Sequence, residues 1–167
     1  MSVESPNDNE GLLQTLHRAG VEFILVGGMA AIVHGAARLT IDLDIVYKRS
    51  PDNYPRLVAA LANIDPYLRG APPGLPFRWD AETIARGLNF TLITRLGAID
   101  ILGEIAGGGY DELFPYAEPI EAFGIQVPCL RLDKLIEVKR AAGRPKDYEA
   151  ISELEALLDE QSQDNDS

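Results

Sequence analysis

Apolar positions along the chain change spacing several times, and each change marks an element. Leu12, Leu13 and Leu16 recur at helical spacing in residues 11–19, and Gly20 closes that short amphipathic helix. Residues 21–26 form an apolar run interrupted only by Glu22, which predicts a buried strand. Gly27-Gly28 follows, then a helical stretch over 29–37. Residues 41–47 alternate apolar and acidic positions with period two, the pattern of a half-buried strand whose acids share one face. Ser50 and Pro51 then open a helix with Tyr54, Leu57, Val58 and Leu61 as its buried stripe.

From Asn63 to Asp80 the prolines and glycines argue for a long surface loop, of the kind that often borders a ligand. Residues 88–94 and 98–102 predict two antiparallel strands joined by a tight turn at Gly97. The glycines of 106–109 have linker composition, and 120–127, with Gly124 inside it, predicts a further strand or hairpin. Leu132, Leu135, Ile136 and Val138 line one face of a helix over 130–142; Gly143 ends it and Pro145 begins a second, running to about Leu158. Residues 1–10 and the acidic tail 161–167 lack apolar periodicity and read as disordered ends of a single domain over 11–160, with 131–158 as its C-terminal helical part.

Composition narrows the chemistry. A chain of 167 residues, 46% hydrophobic, supports one packed core, and no apolar run approaches a membrane span, so no membrane partner is expected. The polar, acidic start has no secretory pattern, and a cytoplasmic protein is expected. One cysteine, Cys129, and two histidines leave a Cys/His zinc site short of ligands, so any metal is held mainly by oxygen. The net charge of −11 argues against a general nucleic-acid coat. That average conceals a reversal: between Arg131 and Lys146 six cations face two acids, a local +4 against −15 elsewhere. One short stretch can therefore meet a polyphosphate, although any single Lys or Arg there is equally read as part of a solvated helix face.

The strongest chemical signal is Asp42-Leu43-Asp44 on the strand after the strand, Gly-Gly, helix unit. Residues i and i+2 of a strand point the same way roughly 6.5–7 Å apart, so two carboxylates can converge on one cation. Asp100 adds a third carboxylate, centred in the apolar strand 98–102, where a charge is expensive without a partner. If the three converge, each like-charge pair costs about 4 kcal/mol at ~4 Å and an effective dielectric of 20, and the cluster invites magnesium or manganese. The alternative is that Asp42 and Asp44 face solvent on an edge strand while Asp100 pairs with an arginine such as Arg95. Gly27-Gly28 adds a place where backbone can approach a ligand, with the unpaired N–H groups of the next helix turned toward an anion.

Together, Val26-Gly27-Gly28, a helix, and Arg38-Leu-Thr-Ile-Asp42-Leu-Asp44 resemble the nucleotidyltransferase superfamily that shares the polymerase-β palm, with Asp100 where that family places its third carboxylate. The resemblance is nearest to small bacterial members of the abortive-infection toxin type, and Val138-Lys-Arg-Ala-Ala-Gly-Arg-Pro-Lys-Asp147 looks like their basic C-terminal part. It implies an α/β (α+β) fold: a small mixed sheet bearing the carboxylates, helices packed on one side, and two C-terminal helices. It implies transfer of a nucleoside monophosphate from a triphosphate to an acceptor hydroxyl of RNA, protein or a small molecule, with Asp42, Asp44 and Asp100 holding Mg2+ or Mn2+. Asp100 would also help remove the acceptor proton. Gly27, Gly28, Arg38, Arg144 and Lys146 would bind the triphosphate, and Lys139, near the middle of its helix, would be a catalytic cation beside Asp42, Asp44 and Asp100. Many members carry Ser where this chain has Gly28, so here backbone N–H groups must do that work.

Other readings stand beside this one. The chain reads equally as a non-catalytic nucleotide-binding module, as one half of a toxin–antitoxin pair, or as a transferase acting on a cationic antibiotic; a homodimer is a further expectation. His34 is expected to be a packed, hydrogen-bonded group without a catalytic role. Thr40 is expected to fix its loop, and Trp79 either stacks on a base or caps the core.

Overall fold

The computed structural model describes residues 7–37 and 42–165, with Lys146 and Asn165 described by their backbone alone. Arg38, Thr40 and Ile41 lie outside the described residues. The first helix, α1 (Asn9–Arg18), starts two residues earlier than its apolar spacing suggests, because the Asp8 carboxylate accepts from the Gly11 N–H at 2.9 Å. Asn7, expected in a loose end, is pinned to the sheet: its side chain donates to the Ala98 carbonyl at 2.7 Å and accepts from the Ala98 N–H at 3.0 Å.

Strand β1 (Phe23–Val26) runs directly into α2 (Gly27–Val33), so the helix begins at the glycines themselves. The acidic strand is β2 (Leu43–Tyr47), and α3 (Asn53–Leu61) buries Leu57 and Leu61 as its stripe requires. Within 63–80 the expected featureless loop contains a two-residue strand, β3 (Tyr67–Leu68), paired with β4 (Phe90–Thr94). A short helix, α4 (Ala81–Arg86), follows, capped by Asp80, whose Oδ1 accepts from the Thr83 N–H at 2.8 Å. The apolar spacing was too brief to reveal it.

Strand β4 and β5 (Gly97–Leu102) form the expected antiparallel hairpin. The glycine-rich linker proves ordered: β6 (Glu104–Ile105) and β7 (Gly108–Gly109) make a small ribbon leading into α5 (Tyr110–Leu113). The stretch at 120–127 resolves into a hairpin, β8 (Ala117–Ala122) and β9 (Ile125–Leu130). Helix α6 (Leu132–Ala142) ends at Gly143, which adopts the left-handed conformation (φ 66°) that a helix stop of this kind requires. The last helix, α7 (Pro145–Asn165), continues through Asn165 and so takes in residues 161–165, which composition alone assigned to a disordered tail.

Seven strands make one mixed sheet in the order β3-β4-β5-β2-β1-β9-β8, with β5/β2 and β1/β9 parallel and the rest antiparallel. Leu43, Ile45, Ile99, Ile101 and Leu92 are fully buried and alternate with the acidic positions, so they share the opposite face of the sheet. Helices α1, α3 and α4 contact one another in series beside that face. Trp79 ties them down: its ring packs edge-on against Phe90 at 5.5 Å, and its Nε1 donates to the Leu57 carbonyl at 3.2 Å. Of its two expected roles, the structure shows the cap. A second, smaller cluster of Ala31, Ala36, Leu132, Ile136, Ile151 and Leu154 joins α2 to the two C-terminal helices. No helix of the described residues is long and apolar enough to cross a membrane.

Candidate active site

Sheet register assembles the acids. Asp44 on β2 and Asp100 on β5 are direct partners of the parallel pair, one strand spacing apart, and Val26 stands opposite Asp44 at the end of β1. Thr91 completes the row across from Asp100. The carboxylates that lie 56 positions apart in the chain thus project from one line across the sheet. Neither faces open solvent from an edge strand, because β2 and β5 are both interior strands. Arg95 pairs with Asp65 at 3.1 Å and is not the partner of Asp100.

Asp44 is the most perturbed of these acids. Burial pushes its pKa up from 3.8 to about 7, and the adjoining Asp100 carboxyl and the charge of Asp42 push the same way, while Lys139 opposes them. Asp44 Oδ1 and Asp100 Oδ1 are both buried and accept no hydrogen bond. Two buried acceptor oxygens side by side, with one acid forced toward its neutral form, are what a divalent cation would relieve, and oxygen-only donors suit magnesium or manganese. The donor pair therefore fits such an ion.

The third acid behaves differently. Asp42 Oδ2 accepts from Arg69 Nη1 at 3.0 Å, and Arg69 Nη2 stands 3.7 Å from Asp100 Oδ1. Among the described residues no group of three carboxylate, imidazole or thiol side chains forms a ready cage for a metal. Of the three carboxylates expected to converge, Asp44 and Asp100 stand side by side, whereas Asp42 is turned to an arginine. Sequence reading missed Arg69 because it lies in the stretch taken for loop; the signal is the Tyr-Leu-Arg run just before Gly70.

Gly27 closes the other side. Its φ is 69°, and a Cβ there would fall 2.4 Å from Asp44 Oδ2, so only glycine lets the backbone reach the carboxylate this closely. The first turn of α2 has no side-chain cap, which leaves its N–H groups to other partners. Gly28, next in the helix, is half-buried.

Asp44, Asp100, Val26 and Gly27 form one wall of a cleft of about 470 Å³ whose far wall is α6 and Arg144, the residue just before α7. Lys139 and Arg144 line it, with Leu102, Ile105, Leu135 and Val138 supplying apolar surface. Arg144 is held by Asp147: Nε donates to Oδ2 at 2.8 Å and Nη2 to Oδ1 at 3.3 Å. Burial would raise the Asp147 pKa, but hydrogen bonding and charge from Arg144, aided by Lys139, hold it below its ordinary value. Asp147 is thus the buried anchor that orients Arg144. Arg38 lies outside the described residues, as does the side chain of Lys146, so their expected phosphate contacts have no structural counterpart here.

His34 Nε2 lies 2.9 Å from the Leu130 carbonyl, the structural role expected of it. Cys129 is fully buried, and burial pushes its thiol up to about 12, which leaves it inert.

No family model matches the chain, and no curated protein matches it. Its structure does find a counterpart: a putative nucleotidyltransferase from Thermotoga maritima superposes with a TM-score of 0.55, covering 89% of each chain at 16% identity. The two chains share one fold. At this identity the likeness concerns the path of the backbone, and the chemistry rests on the residues described above. Within this fold, the mixed sheet carries the acid pair, α2 starts at the glycines beside it, and α6 faces both across the cleft.

Proposed function

We propose that this chain is a metal-dependent nucleotidyltransferase that moves a nucleoside monophosphate from a nucleoside triphosphate to an acceptor hydroxyl, with release of pyrophosphate. The observation that carries the reading is the in-register pair Asp44 and Asp100, with orphaned oxygens, beside a glycine that admits no side chain. Asp44 and Asp100 would hold magnesium or manganese, with Asp42 as a further oxygen donor. Bound there, such ions neutralise the triphosphate and lower the pKa of the acceptor hydroxyl.

The protein's own groups do the rest. Gly27 and Gly28 cradle the β- and γ-phosphates with backbone N–H groups. Lys139 and the Asp147-anchored Arg144 place positive charge on the opposite wall of the cleft, and Lys146 and Arg38 are assigned to the same triphosphate. Asp100 assists removal of the acceptor proton as the acceptor oxygen bonds to the α-phosphorus. The bond from that phosphorus to the bridging oxygen breaks in line, and the pair of electrons leaves with pyrophosphate. The apolar wall of Leu102, Ile105 and Val138 suits the nucleoside.

The finer likeness to abortive-infection toxins rests on the basic segment of α6 and α7 and belongs to the same proposal, as do a cytoplasmic setting and an antitoxin or second copy as partner. The test is incubation of the full chain with labelled triphosphates, magnesium or manganese, and separate pools of RNA, protein and small alcohols. Label should enter one pool, and Asp44→Asn and Asp42→Asn should abolish or sharply reduce it. Transfer that survives both substitutions would falsify the reading, and triphosphate binding without any turnover would favour a nucleotide-binding module instead.

A further inference from the structure

Arg69 sits in a segment that composition marks as loop, yet it is positioned at both ends. Its backbone N–H donates to the Thr91 carbonyl at 3.0 Å, which extends the β3/β4 pairing by one rung toward the row that contains Asp100. Its guanidinium then reaches across the sheet to two acids, donating to Asp42 Oδ2 at 3.0 Å and standing 3.7 Å from Asp100 Oδ1. One planar fork therefore links the acid just before β2 to the acid of β5. The side chain remains 40% exposed, and Gly70 turns the chain away immediately after it (φ 82°).

We propose that Arg69 is the resident cation of the acid cluster: it holds Asp42 and Asp100 in the metal-free protein, and divalent-ion loading requires its guanidinium to give them up. The inference rests on the metal-dependent reading of the site. Three neighbouring carboxylates repel one another, and a positive charge placed among them relieves part of that repulsion. A guanidinium has N–H donors and no lone pair, so it occupies Asp42 Oδ2 by hydrogen bonding and sets a positive charge beside Asp100 Oδ1, where a metal would otherwise bind. The two cations therefore compete for Asp42 Oδ2 and for the negative charge of the cluster. A half-exposed ion pair is also weak enough to be exchanged. Arg69 thus sets the ion concentration at which the site fills, and the two-acid state of the cluster is the state it maintains.

The experiment is titration of the full chain with Mn2+ in the absence of nucleotide, with free Mn2+ followed by electron paramagnetic resonance. The wild type is compared with Arg69→Met, Arg69→Lys and Arg95→Met. Arg69→Met should bind Mn2+ about threefold to tenfold more tightly, and Arg69→Lys should fall between it and the wild type. Arg95→Met, whose guanidinium pairs with Asp65, should match the wild type. A folded Arg69→Met that binds Mn2+ no more tightly than the wild type overturns the inference while leaving the metal site standing. If circular dichroism shows that variant unfolded, Arg69→Lys decides in the same way, tighter binding supporting the inference and unchanged binding overturning it. Failure of every variant to bind Mn2+ removes the metal-dependent reading, and this inference falls with it.

Discussion

Asp44 and Asp100 are register partners on two parallel interior strands, so their half-buried carboxylates project side by side from one face of the sheet. A fold does not place two acids this way for stability. The arrangement costs free energy that a bound cation can return.

That cost gives a pH dependence of definite sign. Asp44 ionises near 7 in the folded protein and near 3.8 in the unfolded chain. Between those values the folded protein keeps a proton that the unfolded chain has released, so stability falls as pH rises and the full penalty is reached above 7. The gap corresponds to on the order of 4 kcal/mol as an upper figure. Urea unfolding without metal should show Asp44→Asn to be more stable than the wild type at about pH 8 and nearly equal to it at about pH 3.5. Equal stability at both would contradict the burial of this group.

Gly27→Ala tests the close approach of backbone and carboxylate. The new methyl would meet Asp44 Oδ2 at 2.4 Å on a backbone with φ of 69°, which a side chain adopts only under strain. A loss of about 1–3 kcal/mol is expected on thermal unfolding. Triphosphate binding, followed by calorimetry, should weaken as well because Asp44 must move.

Lys139 opposes the upward shift of Asp44 from the facing helix. Lys139→Met should therefore move the Asp44 titration to still higher pH, observable by carbon-13 NMR of the carboxyl. In steady-state transfer assays the same variant should raise KM for the triphosphate by roughly tenfold, the effect of losing one charge-assisted contact. A titration of Asp44 that stays in place would separate Lys139 from the site.

Asn53 provides a stability prediction remote from the cleft. It is fully buried, accepts from the Glu22 N–H at 2.8 Å, and donates to the Glu22 and Lys48 carbonyls at 3.0 and 2.9 Å. The start of α3 is thereby stitched to the outer ends of β1 and β2. Asn53→Ala leaves these backbone groups without their partner and should cost about 3 kcal/mol in chemical denaturation, with transfer activity per folded molecule unchanged.

Local pattern and tertiary structure contributed different parts of this site. Period-two alternation was enough to predict a strand that carries Asp44 on its acidic face, with Asp42 falling just before the strand's start, and the two glycines after an apolar run were enough to place a strand-to-helix junction. Stop signals at Gly20 and Gly143 held for the same reason: they depend on backbone conformation that a residue carries with it. The two-residue β3 and the ordered N-terminal end had no comparable local signature, since each is held by pairing or hydrogen bonds to distant chain, whereas α4 has the local Asp80 cap but too short an apolar stripe.

The sequence by itself determined the identity and spacing of the acids, the glycine beside them, and the periodicity that orients them, because these follow from side-chain geometry within a few residues. Only the tertiary structure decided that β5 lies next to β2 in the register that opposes Asp100 to Asp44, that α6 carries Lys139 over them, and that Arg69 takes Asp42. Strand order and register arise from the packing of the whole sheet, a balance summed over distant contacts that no short window of residues contains.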